Sequence, residues 1–344
     1  MQVTSTHGGN TAKSLDARQP EKVSGIDGAP SRPERSGSKN LQTTLANPIH
    51  CQGIALHSGV TVDLVLSPAP ANSGVRFQRS DIEGSPSFPA LYNHIVDTRL
   101  STVVACETDP SSLRVATIEH LMAALSACEI DNILVTVSGP ELPVLDGASD
   151  AFTFLIRCAG RKTLETPRQV IEILRNVRVE GENGAFAELR PAQRGLSLAI
   201  SLSFPAQAIG NQRYAIQLDE RRFMEELAFC RTFVNRKDIE YLQSIGLARG
   251  GSLETAVVVD GENILNPAGL KIEREFARHK LLDAIGDLYC AGHRMQAGFI
   301  GHKSGHTLNN KLLRAVFSDA ANWRFAPTGS SRTATKTLRA RVAA

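Results

Sequence analysis

The stretch EFARHKLLDAIGDLYC at residues 275–290 has the clearest helical pattern in the sequence. At about 100° per residue, its apolar side chains form one stripe: Leu281, Leu282, Ile285, Leu288 and Tyr289. His279, Asp283 and Asp287 are spaced four residues apart and form a row on the opposite side. Side chains at i and i+4 are close enough to bind one metal ion, as in the H-E-x-x-H helix. The simpler interpretation is a solvated helix face with an i, i+4 ion pair.

Two other segments carry residues that a hydrolytic metal site needs. The pattern at 117–128 predicts a helix, and Glu119 and His120 lie off its apolar face. Because adjacent helical residues point about 100° apart, one can bind a metal while the other lies beside the bound water. In GHKSGHTLNN (301–310), glycines flank a predicted turn, and His306 lies after it, before a predicted helix. Each of these segments is ordinary when it is taken alone.

The remaining pattern predicts an α+β fold in two domains. Strands are predicted at 60–66, 132–137 and 196–204, and helices at 117–128, 148–159 and 219–230. Asn183-Gly184 lies between two strand-like runs, which indicates a hairpin. The composition break GRKTLETP (160–167) predicts a linker, and hence domains at 41–163 and 164–326.

Charge distribution argues against a nucleic-acid partner. The 344 residues have a net charge of +3, but residues 1–40 carry +2 and residues 327–344 carry +4, which leaves −3 for 41–326. A basic folded face is therefore not expected, and the sequence has no finger, RNP or helix-turn-helix signature. The low apolar content of the two ends predicts a disordered N-terminal extension and a disordered basic tail. We expect at most weak peripheral membrane contact from this tail.

The expected location is cytoplasmic. No stretch approaches the roughly 18 apolar residues of a membrane span, and the first thirty residues lack the apolar block of a secretory signal. The six cysteines never occur at C-x-x-C spacing, so we expect reduced and mostly buried thiols.

Eight motifs occur in a fixed order between about residues 41 and 325. They are GIALHSG (53–59), TIEHLMAAL (117–125), ELPVLDG (141–147), CRTF (230–233), DIEYLQSIGLARGGSLE (238–254), NPAGL (266–270), EFARHKLLDAIGDL (275–288) and KSGHTLNNKLL (303–313). The ordered set resembles the UDP-3-O-acyl-N-acetylglucosamine deacetylases, the zinc amidases of the committed step of lipid A biosynthesis. The resemblance implies two similar two-layer domains, each a sheet with helices, packed together with the metal site between them. It also implies a β-α-β insert for the acyl chain in the second domain, at about 234–265.

The resemblance also implies a role for each candidate residue. The metal ligands would be His120, His279 and Asp283, holding Zn²⁺, with Fe²⁺ as the alternative ion. Glu119 would be the general base, and His306 the charged residue that stabilises the oxyanion and then protonates the leaving amine. Asp287 would orient His306, and the Thr232 hydroxyl would donate to the oxyanion.

The implied substrate is a UDP-activated acylated amino sugar, and we expect a monomer. Its binding residues would be Lys280 and Lys303 for the diphosphate, with Phe233, Leu100 and His57 lining the site. From the residues alone, His57 is expected to be exposed, as a structural residue or a peripheral ligand contact. Departures from the family pattern, such as Val234 and Ser101, leave the acyl-chain length open. A diverged paralogue acting on another acylated amino sugar and a catalytically silent binding protein are the alternatives.

Overall fold

Strands and helices mix along the chain in an α+β fold, which confirms the predicted fold class. The computed structural model describes residues 40–327. The predicted N-terminal extension (1–40) and basic tail (327–344) therefore lie outside the described residues, apart from Asn40 and Pro327. Within the described range, no helix is long and apolar enough to span a bilayer.

The first half of the described chain holds nine strands and two helices. The strands are β1 (Leu41–Leu45), β2 (Ile49–Ile54), β3 (Thr61–Pro68), β4 (Val75–Arg79), β5 (Phe88–Pro89), β6 (Ile95–Asp97), β7 (Val103–Ala105), β8 (Arg114–Val115) and β9 (Ile133–Val137). The helices are α1 (Glu119–Ala127) and α2 (Asp150–Ala159), with a short 3-10 helix at Tyr92–His94.

The second half holds eleven strands and four helices. The strands are β10 (Arg161–Pro167), β11 (Gln169–Ile173), β12 (Val177–Glu180), β13 (Phe186–Pro191), β14 (Leu196–Ser203), β15 (Asn211–Gln217), β16 (Thr232–Asn235), β17 (Ala256–Asp260), β18 (Asn263–Ile264), β19 (Met295–His302) and β20 (Trp323–Pro327). The helices are α3 (Glu220–Glu226), α4 (Arg236–Ser244), α5 (Glu275–Tyr289) and α6 (His306–Phe317), with short 3-10 helices at Glu182–Gly184 and Ala320–Asn322.

A five-stranded sheet dominates the first half, in the order β2-β3-β9-β4-β5. β9 and β4 are parallel, and the other neighbours are antiparallel. Alternate residues of β3 (Val62, Leu64 and Leu66) point into the core. The short strands β6, β7 and β8 form a separate three-stranded sheet.

A seven-stranded sheet dominates the second half, and β19 lies at its centre. This strand is antiparallel to β13 and parallel to β14 and β11. The predicted strand at 196–204 is β14, and its even-numbered residues are buried as the alternation predicts. The predicted hairpin joins β12 to β13, where Asn183 and Gly184 both adopt positive φ.

The segment predicted as a linker at 160–167 is instead mostly strand. β10 is mostly exposed and pairs antiparallel with the buried strand β1, so the predicted boundary between residues 163 and 164 falls inside a strand. Exposed strand positions carry polar residues, and this made the composition look like that of a linker. One continuous apolar cluster also contains residues from both halves. The division into two domains therefore stays a prediction.

The buried helices α1 and α5 cross in close contact. A Cβ atom at position 286 would overlap the carbonyl oxygen of Glu119, so this crossing requires glycine near the C-terminal end of α5. All of α1 and almost all of α5 are buried. The simpler interpretation of the row His279, Asp283 and Asp287 as a solvated face is therefore wrong, because these side chains are 2–3% exposed. Periodicity showed which residues share a face but not what packs against it.

The insert has the expected β-α-β form. β16 and β17 are parallel neighbours, and α4 is the crossover between them. No residue of α4 is fully buried, and its Tyr241 side chain is 64% exposed.

We predict that Gly286→Ala destabilises the protein. The new methyl group must displace backbone atoms of α1, and overpacking of this kind costs about 1–3 kcal/mol. This exceeds the gain of up to about 1 kcal/mol that alanine has over glycine in a helix. Urea denaturation measures the change in the free energy of unfolding.

Gly298→Ala is the matched control, because a Cβ atom there meets only the Ser197 Oγ atom at an ordinary 3.4 Å. It should leave stability within about 0.5 kcal/mol of the wild type. Equal stability of the Gly286 variant and the wild type would show that the two helices are not held at this distance.

Candidate metal centre and active site

Three buried side chains from α1 and α5 converge on one point. The Oδ1 atom of Asp283 lies 3.3 Å from His279 Nε2 and 3.5 Å from His120 Nε2. The candidate ligand atoms of the three residues all lie within 4.8 Å of one another. Within residues 40–327, this Asp283 oxygen forms no hydrogen bond although it is buried. Two imidazoles and a carboxylate with a free, buried lone pair fit a transition metal such as zinc.

The orientation of His279 leaves one nitrogen free for a metal. Its Nδ1 atom donates to the Cys230 carbonyl at 2.9 Å, so Nε2 is the unprotonated atom in the neutral ring. Burial lowers the pKa of His279 to about 4, so the ring is neutral near pH 7. A neutral imidazole is the form that binds metals.

Asp283 is held as a carboxylate. Its burial favours the neutral acid, but the cations of Lys280 and His306 nearby outweigh this and hold the pKa of Asp283 well below its usual value. Lys280 Nζ donates to Asp283 Oδ2 at 2.7 Å and leaves Oδ1 for a further partner.

A buried ion pair supports the Cys230 carbonyl. Glu275, the first residue of α5, is fully buried and accepts from the Arg231 backbone N at 3.0 Å and from Arg231 Nε at 2.9 Å. The Lys271 backbone N donates to the same carboxylate at 2.7 Å. This pair fixes residue 231 beside α5, and hence the carbonyl that orients His279.

Glu119 directly precedes the candidate ligand His120 at the start of α1. Its Oε2 atom accepts from the Thr102 backbone N at 2.9 Å, and its Oε1 atom lies 3.9 Å from His306 Nε2. Burial raises the pKa of Glu119. A buried carboxylate with a raised pKa is well suited to accept a proton.

His306 opens α6, one turn earlier than the sequence pattern suggested. Its Nδ1 atom donates to Asp287 Oδ2 at 2.9 Å, and this oxygen also accepts from Asn309 Nδ2 at 2.8 Å. Burial opposes protonation, but Asp287 and Glu119 outweigh it and raise the pKa of His306 to about 9. His306 is therefore protonated near pH 7, with its Nε2–H aimed between Glu119 and Asp283.

The chain is similar to known proteins over most of its length. The family model described as LpxC, UDP-3-O-acyl N-acetylglycosamine deacetylase, matches residues 42–318. The chain belongs to the LpxC family. It is 43% identical over 286 residues to the UDP-3-O-acyl-N-acetylglucosamine deacetylase of Glaesserella parasuis serovar 5 (strain SH0165), covering 83% of this chain and 92% of the relative. The protein of the same name from Actinobacillus pleuropneumoniae serotype 3 (strain JL03) is 42% identical with the same coverage.

Two other residues expected from the LpxC resemblance, Phe233 and Thr232, are neighbours in β16, and Phe233 lies near the candidate ligand His279. Phe233 packs edge-on against Phe276, and its ring centroid lies 6.2 Å from that of His279. Thr232 precedes it in β16 and donates its backbone N–H to Gly147 at 2.8 Å.

The remaining expected residues are more peripheral. Leu100 is 49% exposed, and the Lys303 Nζ atom donates to the Asn183 carbonyl at 3.4 Å. Within the described chain, no hydrogen bond or ion pair joins Lys303 or His57 to the three ligands. The expectation that His57 is exposed is wrong: it is half-buried, and both ring nitrogens are buried without a hydrogen-bond partner among residues 40–327. The cause is the Glu141 carboxylate, which accepts a hydrogen bond from the His57 backbone N–H and holds this turn in place.

Sequence reasoning missed the supporting residues Thr102, Arg231, Glu275 and Asn309. Arg231 and Glu275 are 44 residues apart, and Thr102 and Asp287 are 185 apart. No local spacing can signal such contacts. Asn309 lies three residues after His306, so the i, i+3 rule could have placed it on the same helix face.

We predict that Glu275→Gln destabilises the protein by about 3 kcal/mol, because it leaves the buried Arg231 charge uncompensated. Glu225→Gln is the control, since its pair with Arg221 is exposed and contributes less than about 1 kcal/mol. Chemical denaturation of both variants measures the difference. Equal losses of stability in the two variants would contradict this role of Glu275.

Proposed function

We propose that the protein hydrolyses the N-acetyl group of UDP-3-O-acyl-N-acetylglucosamine and releases acetate, the committed step of lipid A biosynthesis. The observation that carries the proposal is the convergence of His120, His279 and Asp283 between a buried carboxylate and a protonated histidine. This set suits metal-assisted amide hydrolysis. The names of the relatives supply the substrate, because the chain covers 92% of their length.

The proposed metal ligands are His120, His279 and Asp283, and the proposed ion is Zn²⁺. Two imidazoles and one carboxylate form a three-ligand set with an open position, the arrangement of catalytic zinc sites. Fe²⁺ accepts the same donor types and stays the alternative. When bound, such an ion polarises the acetamide carbonyl and lowers the pKa of a water molecule.

Glu119 and His306 move the protons in this proposal. Glu119 Oε1 faces the space beside the ligands and takes the proton of the attacking water. The His306 imidazolium stabilises the oxyanion and then donates its Nε2 proton to the sugar nitrogen as the amide C–N bond breaks. Asp287 keeps His306 charged and oriented, and the Thr232 hydroxyl donates to the oxyanion.

The substrate is assigned to side chains around this centre. Lys280 Nζ lies 2.7 Å from Asp283 and is close to the reacting groups, whereas Lys303 lies further out, next to the β12–β13 turn. We assign both to the diphosphate. Phe233, Leu100 and His57 are assigned to the site walls, and the insert at 234–265 to the acyl chain.

The cytoplasmic location and the monomeric state stay predictions. All six cysteines lie within the described residues and are unpaired, and four of them are buried. Unpaired thiols are typical of a reducing compartment and support the location. Weak membrane contact by the basic tail also stays a prediction.

We predict that the metal-loaded wild type releases acetate from the UDP-acyl-sugar, and that Glu119→Ala lowers the rate by about 10²–10⁴-fold, the usual contribution of a general base. His306→Gln should also lose rate while it keeps the metal. Asp283→Asn should lose the metal itself. Acetate release and metal content by mass spectrometry measure both properties for each variant.

The losses of acetate release and of bound metal across these variants test the roles assigned to the residues. A wild type that binds zinc but releases no acetate would contradict the proposed function and favour a silent binding protein. Release from another acylated amino sugar only would favour the paralogue. Loss of metal in His306→Gln, with metal kept in Asp283→Asn, would show that the two roles are exchanged. Glu225→Gln is the exposed control.

A further inference from the structure

Thr102 connects two carboxylates of the site. It lies in the loop before β7 and is 3% exposed. Its backbone N–H donates to Glu119 Oε2 at 2.9 Å, and its hydroxyl donates to Asp287 Oδ1 at 2.6 Å. Its carbonyl accepts from the backbone N–H of Ile118 at 3.3 Å. One residue thus contacts the start of α1 through its main chain and the last turn of α5 through its side chain.

We propose that Thr102 is a positioning residue that sets the geometry of both proton-transfer groups. The inference rests on the proposed function, since it assigns Glu119 and His306 as those groups. It adds a residue that, among residues 40–327, forms no hydrogen bond to the three proposed metal ligands and acts through Glu119 and Asp287.

The side-chain contact determines how Asp287 meets His306. An ionised carboxylate only accepts, so the Thr102 hydroxyl must be the donor to Asp287. With Oδ1 held by Thr102, Oδ2 is left for His306 Nδ1 at 2.9 Å and Asn309 Nδ2 at 2.8 Å. Without the hydroxyl, Oδ1 loses the donor given by Thr102, and the orientation of the carboxylate toward His306 depends on the contacts of Oδ2 alone.

The main-chain contact acts in the same way on Glu119. With Oε2 held by the Thr102 N–H, Oε1 is the oxygen that lies 3.9 Å from His306 Nε2. A side-chain substitution removes the Asp287 contact and keeps this one. The variant therefore tests the Asp287 contact alone.

Thr102→Val replaces the hydroxyl by a methyl group at nearly constant shape. We expect kcat to fall about tenfold, because a hydrogen bond to a charged group is lost. KM should change less than twofold, and the metal content should not change, because no ligand moves. Thr102→Ser restores the hydroxyl and should recover most of kcat. Thr153→Val is the matched control, since Thr153 is fully buried and donates to the Asp150 carbonyl within α2.

A double-mutant cycle separates positioning from general loss of packing. In an Asp287→Ala background the hydroxyl has no carboxylate to hold, so adding Thr102→Val should change kcat less than twofold. The proposal is overturned if the two losses of kcat multiply in the double variant. It is also overturned if Thr102→Val has the kcat of the wild type, or if the kcat of Thr102→Ser is no higher than that of Thr102→Val.

Proton NMR of His306 keeps the test independent of turnover. The Nδ1 proton of His306, assigned with the His306→Gln variant, should exchange slowly with water in the wild type. It should exchange at least about tenfold faster in Thr102→Val and slowly again in Thr102→Ser. If the wild type releases no acetate, the proposed function fails while this readout still decides the role of Thr102. Unchanged exchange in the Val variant would overturn that role.

Discussion

The contact between Gly286 of α5 and the Glu119 backbone of α1 is the constraint on which the site depends. His279 and Asp283 lie on α5, and His120 directly follows Glu119 on α1. The two helices must approach to backbone contact before these side chains can meet. The same approach brings Asp287 close to Thr102 and Glu119. The positions of the proposed metal ligands, the proposed base and the supporting carboxylate thus follow from one helix crossing.

This crossing gathers charges that are unfavourable in a buried position unless they are paired. The carboxylates of Glu119, Asp283 and Asp287 face the cations of Lys280 and His306. When all three carboxylates are ionised, the cluster has one negative charge in excess, and a bound dication changes it to one positive charge in excess. A net positive, water-poor site stabilises the negative charge that develops on an amide during hydrolysis. The Asp283 oxygen without a hydrogen-bond partner is the atom where that dication fits.

Periodicity predicted the helices that carry the site. The i, i+4 spacing of His279 and Asp283 and the off-face positions of Glu119 and His120 follow from the sequence alone. The sequence alone does not show which of these residues meet, because a periodic pattern gives the faces of a helix and not its neighbours. The resemblance to known deacetylases supplied that step, and the structure brings His120, His279 and Asp283 together. Their roles remain proposals.

The errors have a common cause. The strand β10 looked like a linker, and the half-buried His57 looked exposed, because each is defined by a partner distant in sequence: β1 for the strand and Glu141 for the histidine turn. Thr102, Arg231 and Glu275 were missed for the same reason. Residues that support a site through long-range hydrogen bonds leave no local signature.

The central claim is that α1 and α5 together hold one catalytic metal ion. X-ray diffraction at the zinc absorption edge, on crystals of the zinc-loaded full chain, tests it most directly. We predict one anomalous peak for a zinc ion bound by His120 Nε2, His279 Nε2 and a carboxylate oxygen of Asp283. Each of these atoms should lie about 2.0–2.2 Å from the ion. A zinc ion bound by other residues, or by the residues of only one of the two helices, would contradict it.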